Sequence, residues 1–285
     1  MLILSCQRPA QESSAAHLSE IEEWSEKRWN DLRSEDGWLN LAGLFWLSEG
    51  INSFGSAPDE PIRFPEGFPL AHAGYITLSG GIVRLTADPG NGIEVNGQRL
   101  GEALLFHPDS ADVVYARSGS YRWNIIRRED KFGIRLRNLD SAYISKFTKP
   151  ERFPVDPTLK VLAKFVAYNA GHTIAISNVL GQTTNEPSPG KLEFTIDGNN
   201  LTLDALLSGD ELFIVFADAT SGNETYGGGR FLYVKKPGPD GPVTIDFNKA
   251  INPPCVFSEF ATCPLPPKQN RLLVPVRAGE KNIHY

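Results

Sequence analysis

Gly74-Tyr-Ile-Thr-Leu-Ser-Gly-Gly-Ile-Val-Arg-Leu-Thr86 reads as strand, turn, strand. Two short runs rich in β-branched and aromatic residues flank Ser79-Gly80-Gly81, where glycine accepts the positive φ that a tight reversal needs. The same grammar extends outward. Ile62-Arg-Phe64, Gly92-Ile-Glu-Val95, Asp112-Val-Val-Tyr115 and Arg122-Trp-Asn-Ile-Ile126 are separated by Asp88-Pro-Gly-Asn-Gly92, Asn96-Gly97 and Ser118-Gly119. Asn96-Gly97 is a strong two-residue hairpin signal. This spacing predicts a β-sandwich over 51–150. Pro150, Pro154 and Pro157 then punctuate the chain, and a second run of strands follows over 151–285. Phe213-Ile-Val-Phe216 in that run is apolar on both faces, as a central strand would be. The expected fold class is all-β: two β-sandwich or barrel-like domains with an N-terminal amphipathic helix.

The helix is predicted from His17 to Arg33, where Leu18, Ile21, Trp24, Trp29 and Leu32 recur at helical spacing. Ser19 and Glu22 suit a capping box at its start, and Asp36-Gly37 ends the pattern. The apolar Trp38 to Leu47 completes a segment 17–50, as a connector packed between helix and sheet. Before it, 1–16 reads as a truncated signal and polar tether. Met1-Leu-Ile-Leu-Ser-Cys6 is similar to the end of a bacterial lipoprotein signal, with Cys6 as the lipidation candidate. The expected location is therefore the periplasm or an outer-membrane lipid anchor, with a disordered cytoplasmic N-terminus as the alternative.

Composition narrows the function classes. Lys and Arg number 28 against 34 Asp and Glu, a formal charge of −6, which argues against nucleic acid as a partner. No apolar run is long enough to span a bilayer, so a membrane contact would come only through a lipid anchor. Serine-hydrolase, zinc-helix, P-loop and dinucleotide signatures are missing from the sequence, which leaves the cofactor unknown.

Chemistry concentrates in the last quarter of the chain. Asp218, Glu224, Asp246 and Glu259 lie near strand ends; clustered carboxylates can act as acid and base or hold a divalent cation. Equally, they can cap turns and pair with cations such as Arg230. Tyr226-Gly-Gly-Gly-Arg230 lets a backbone approach something closely, with Arg230 free to clamp an anion or to brace a bulge. Tyr226, Arg230, Asn248 and Arg271 are the candidate ligand-binding residues. Cys255 and Cys263, each flanked by proline, suit either a disulfide or two buried thiols. Arg135 and Arg137 share a strand face and read as a solvated row beside acidic neighbours. The proline-rich 252–267 is expected to be ordered and irregular, anchored by a strand-like Arg271 to Arg277.

Tyr226-Gly-Gly-Gly-Arg230, Asp246-Phe-Asn248, Pro253-Pro-Cys255, Thr262-Cys-Pro-Leu-Pro-Pro267 and Ala278-Gly-Glu-Lys281 together resemble the signature of a bacterial family, domain of unknown function 1684. Asp36 to Trp46 is similar to that family's other end, so the resemblance runs from about Trp24 onward. It implies no activity. The middle region also resembles a forkhead-associated domain at Gly55-Ser56, His72 and Val95-Asn-Gly97. It lacks the phosphate-gripping residues, so the resemblance carries a fold and not phosphopeptide binding. The functional expectation is an exported protein binding a small polar or anionic ligand in its C-terminal domain. The alternative is a hydrolase using the Asp218, Glu224 and Asp246 cluster, with or without a divalent cation.

Overall fold

The computed structural model describes residues 8–283 apart from 239 and 240. Cys6 lies outside them. The chain is all-β with one long N-terminal helix, α1 (Arg8–Arg33), and it divides into two units. One comprises residues 32–147; the other joins the N-terminal residues through Asp31 to 148–285.

The unit of residues 32–147 is an eleven-stranded sandwich. Its strands are β1 (Leu41–Trp46), β2 (Gly50–Gly55), β3 (Ile62–Arg63), β4 (Gly74–Ser79), β5 (Ile82–Thr86), β6 (Glu94–Val95), β7 (Gln98–Arg99), β8 (Glu102–Phe106), β9 (Ala116–Ser118), β10 (Tyr121–Arg128) and β11 (Lys131–Asn138). One sheet runs β1-β11-β10-β9-β6-β7 and the other β3-β2-β4-β5-β8. Phe54, Phe64, Phe68 and Trp123 interlock between them, with Phe64 and Phe68 centroids 4.8 Å apart in an edge contact. Asn96 (φ 47°) and Gly97 (φ 80°) make the β6–β7 hairpin turn, pairing Val95 with Gln98.

Three local expectations change in this unit. The connector from Trp38 to Leu47 is largely β1, paired along β11. Asp112 to Tyr115 is irregular, because Asn96 takes its backbone: the Tyr115 N–H donates to Asn96 Oδ1 at 3.2 Å. Glu102–Phe106 supplies the strand instead. Nor is the arginine row simply solvated. Ile134 and Leu136 are fully buried opposite it, and Arg137 is itself buried, donating to Gly37 O and to Asn40 Oδ1 at 2.7 Å. Burial pushes Arg135 down to about 10, and its guanidinium sits 5.2 Å over the Trp38 ring. Gly55, Ser56 and His72 are committed to the loop itself. A Cβ on Gly55 would meet Ala71 O at 2.1 Å, Ser56 Oγ donates to Phe68 O and Leu70 O, and His72 Nδ1 lies 2.6 Å from Glu60 Oε1.

The other unit contains β12 (Lys160–Ala167), β13 (Thr173–Ser177), β14 (Thr183–Pro187), β15 (Gly190–Ile196), β16 (Asn199–Ser208), β17 (Glu211–Phe216), β18 (Arg230–Lys235) and β19 (Val243–Asp246). β13 and β14 form a separate hairpin; the rest make a strongly curled sheet in the order β18-β17-β16-β15-β12-β19. Leu192, Leu203, Ile214, Phe216, Ile245 and Phe247 fill its interior. β18 and β19 are the two ends of that order, so the curl stops one strand pairing short of closure.

α1 begins at Arg8, with Pro9 in the first turn where its missing N–H costs nothing. Residues 8–16 are thus helical, and Ser19 lies mid-helix and is no cap. The buried stripe also differs from the expected one. His17, Ile21 and Ser25 are buried at successive i, i+4 steps, whereas Leu18 is exposed and Trp24 half-buried.

The segment 252–267 is ordered and irregular. Val256, Phe257, Ala261 and Cys263 are buried, Phe260 and Leu265 half-buried. Leu265 N donates to Ser177 O at 2.7 Å, and Val179 N to Cys263 O at 3.0 Å. Beyond it, Arg271 to Arg277 is not a strand. It meets the sheet at the bridge between Ala217 and Arg271, buries Leu272 and Val276 in the core and leaves Leu273 exposed. Asn270 anchors it by donating to Asp204 O and Val215 O, both at 2.9 Å.

Candidate ligand cleft and the buried polar network

The residues singled out in the sequence are mostly spent on the fold. Arg230 opens β18 and is fully buried. Its Nη2 donates to Asp218 Oδ2 at 2.7 Å and to Val276 O at 2.8 Å, while Nη1 reaches Ala278 O. Burial holds this guanidinium below its usual range, and Asp218 acts in the opposite sense. Asp218 Oδ1 accepts three more bonds, from Thr220 N, Thr220 Oγ1 and Val276 N. The pair ties β17 and β18 to the C-terminal segment. The glycines before Arg230 serve that packing too. Gly229 has φ 83°, and a Cβ there would fall 2.3 Å from Pro266 Cγ and 2.5 Å from Phe216 O. Gly228 likewise makes room for the half-buried Tyr226 ring.

The carboxylates do not converge. Glu224 is gripped by Arg277, whose Nε lies 3.0 Å from both its oxygens, and this hydrogen bond holds Glu224 below the usual carboxylate range. Asp246 is buried against α1, with Oδ2 2.7 Å from His17 Nε2 and Oδ1 capping the turn at Asn248. Asn248 is also buried, bonded to both backbone groups of Asp156. Arg271 is exposed. Among the described residues no group of three or more His, Cys, Asp or Glu is placed to hold a metal ion. Cys255 and Cys263 form a disulfide, with Cα atoms 6.1 Å apart.

A second buried network centres on the glutamate of the Ala278 to Lys281 motif, to which the sequence assigned no role. Glu280 is almost fully buried. It accepts from Asn252 N at 2.7 Å and from Arg28 Nε at 3.4 Å, with Arg152 Nη1 at 4.0 Å. Arg28 also donates to Asn252 O and lies 5.5 Å over the Phe257 ring; Arg152 stacks 5.0 Å over Trp24. These contacts clamp α1 to the C-terminal segment.

Beside that clamp, α1 stands over the open seam between β18 and β19 and leaves a cleft of about 830 Å³. Lys27, Arg28, Lys160, Lys235, Lys236 and Lys249 line it, against the carboxylates Glu20, Asp31, Glu211 and Asp246. The excess is cationic on a chain that is acidic as a whole. Glu20 is shared by Lys249 at 2.5 Å and Lys160 at 3.2 Å, and the bond from Lys249 is the main reason its carboxyl stays below the usual range. Trp24 and Tyr233 supply aromatic wall, with Tyr233 stacked on Phe213 at 5.0 Å. Sequence reading missed this cleft because its cations come from α1, β12, the end of β18 and the turn after β19.

The family model described as "Protein of unknown function (DUF1684)" matches residues 145–281. Those residues are a DUF1684 domain. Both strands of the seam and every signature motif from Tyr226 to Lys281 fall inside this domain, whereas α1 and the Asp36 to Trp46 motif precede it. No curated protein matches the chain. One similar solved structure is the solution NMR structure of an uncharacterized protein from gene locus rrnAC0354 of Haloarcula marismortui. It is 28% identical, with 48% of this chain and 78% of that chain covered and a TM-score of 0.40.

Proposed function

We infer that the protein is a binding module whose DUF1684 domain, together with α1, holds an anionic ligand in the cleft at the β18–β19 seam. The carrying observation is the cationic excess of a concave site on an acidic chain. This keeps the sequence-level reading of a small polar or anionic ligand and moves it away from Arg230, which has no free surface. Lys235 and Lys236 are exposed at the mouth and Trp24 is half-buried in the wall, so an entering anion meets charge and a flat ring together. Asp218, Glu224 and Asp246 are each held by a separate cationic or imidazole partner, and no observation favours the hydrolase alternative. The Cys255–Cys263 disulfide supports an oxidising compartment and with it an exported protein.

The test is titration of the protein with tripolyphosphate and with citrate, followed by Trp fluorescence and calorimetry. Binding that weakens with added salt and is lost in Lys235→Glu/Lys249→Glu is the expected result. Saturable binding unaffected by both charge reversals would place the ligand elsewhere.

A further inference from the structure

The cleft offers more than charge, and its backbone narrows the ligand. β18 is an edge strand on the seam side. Phe231 exchanges both backbone hydrogen bonds with Ile251, at 2.8 and 2.9 Å, so its N–H and C=O point away from β17. Backbone direction alternates along a strand with period two. Tyr233 and Lys235 therefore turn their N–H and C=O groups the same way as Phe231, toward the seam. Among the described residues they have no strand partner there, because the Phe231–Ile251 bridge closes one end and β19 pairs with β12. Both residues line the cleft.

A free inorganic or carboxylate anion could use the two N–H groups but would leave the two C=O groups facing it. A polypeptide strand satisfies both kinds at the strand repeat. We propose that the cleft's ligand is an extended acidic peptide segment that adds to the free edge of β18, its backbone pairing with Tyr233 and Lys235 and its carboxylates meeting the surrounding lysines. The idea rests on the cleft reading above. Charge complementarity commits the occupant: lysines on an exposed edge discourage neutral or basic strands from pairing there and admit an acidic one. Trp24 and Tyr233 would cover the aliphatic parts of the peptide's side chains.

The experiment uses the full chain and a fluorescein-labelled, end-blocked peptide of about six residues, an ordinary strand length, alternating Glu and Thr. Two copies are N-methylated on alternate backbone nitrogens, one in each phase. Binding of the parent with loss of about tenfold or more in at least one methylated phase is expected, the scale of one or two backbone hydrogen bonds. Lys235→Pro removes the seam-facing N–H without breaking a bond to β17, and should bind about tenfold more weakly than Lys235→Ala, which loses the same charge. Equal affinity of parent and both methylated peptides overturns the strand pairing and leaves the anion reading standing. So does tripolyphosphate binding without peptide binding. Failure of both probes overturns both readings. If Lys235→Pro does not fold, the methylated peptides still decide.

Discussion

Replacing Asp218 by Asn separates a structural Arg230 from a ligand-binding one. The amide keeps Oδ1 for Thr220 and Val276 but sets an NH₂ group where Oδ2 accepted from Arg230 Nη2 at 2.7 Å. Donor then faces donor, and the guanidinium has no route to water, since both side chains are fully buried. Its Nε is already without a hydrogen-bond partner. Two backbone carbonyls, of Val276 and Ala278, the face of the Phe216 ring and the more distant Glu280 carboxylate remain to offset the charge. Breaking one side of such a pair costs about 3–5 kcal/mol. The expected result is that loss in urea unfolding, read through hydrogen exchange of β17 and β18 amides. In Asp218→Asn/Arg230→Met the two costs should sum to well below the separate losses, because the uncompensated charge is gone. A loss under about 1 kcal/mol in the single variant, far below the range for a broken buried pair, would refute the reasoning. A folded variant of full stability that no longer binds tripolyphosphate would return Arg230 to the ligand site.

Gly229→Ala should destabilise the same unit by at least about 2 kcal/mol, combining a left-handed backbone with overlap on Pro266; thermal unfolding checks it. Tyr168 is pushed up to about 12, first by burial and then by its 2.7 Å hydrogen bond to Asp204. Its protonated form is favoured in the fold, so this contribution is complete below pH 10 and disappears as pH rises toward 12. Tyr168→Phe should flatten that alkaline loss in pH-dependent unfolding. Glu20→Gln removes the carboxylate that Lys160 and Lys249 share, and should tighten tripolyphosphate binding several-fold in calorimetry.

The strands were legible wherever side chains alternate against a core, as in Val83 and Leu85 of β5, because that pattern is local. α1 was legible as a helix, but its buried stripe was misjudged. His17 is buried for the Asp246 carboxylate it meets, and hydrophobic spacing does not report that. At the site, the sequence picked residues that are indeed unusual and left their reason open between ligand and fold. An arginine after three glycines looks the same whether it faces a ligand or Asp218. The seam's lysines carried no signal, since Lys27 and Lys249 lie far apart in the chain and each resembles ordinary surface charge. Only the end-to-end curl of β12 to β19 brings them together.

The unit that holds the cleft is discontinuous: Leu32–Phe147 is spliced between α1 and the rest. During synthesis the helix must therefore wait, its partners unmade, while an entire sandwich emerges and can fold. Glu280, which receives Arg28, comes almost at the end of the chain. A fragment started at Thr148 would contain nearly all of the family's residues and still be incomplete. Asp246 would lack His17, Glu280 would lack Arg28, and the seam would stand open without its roof.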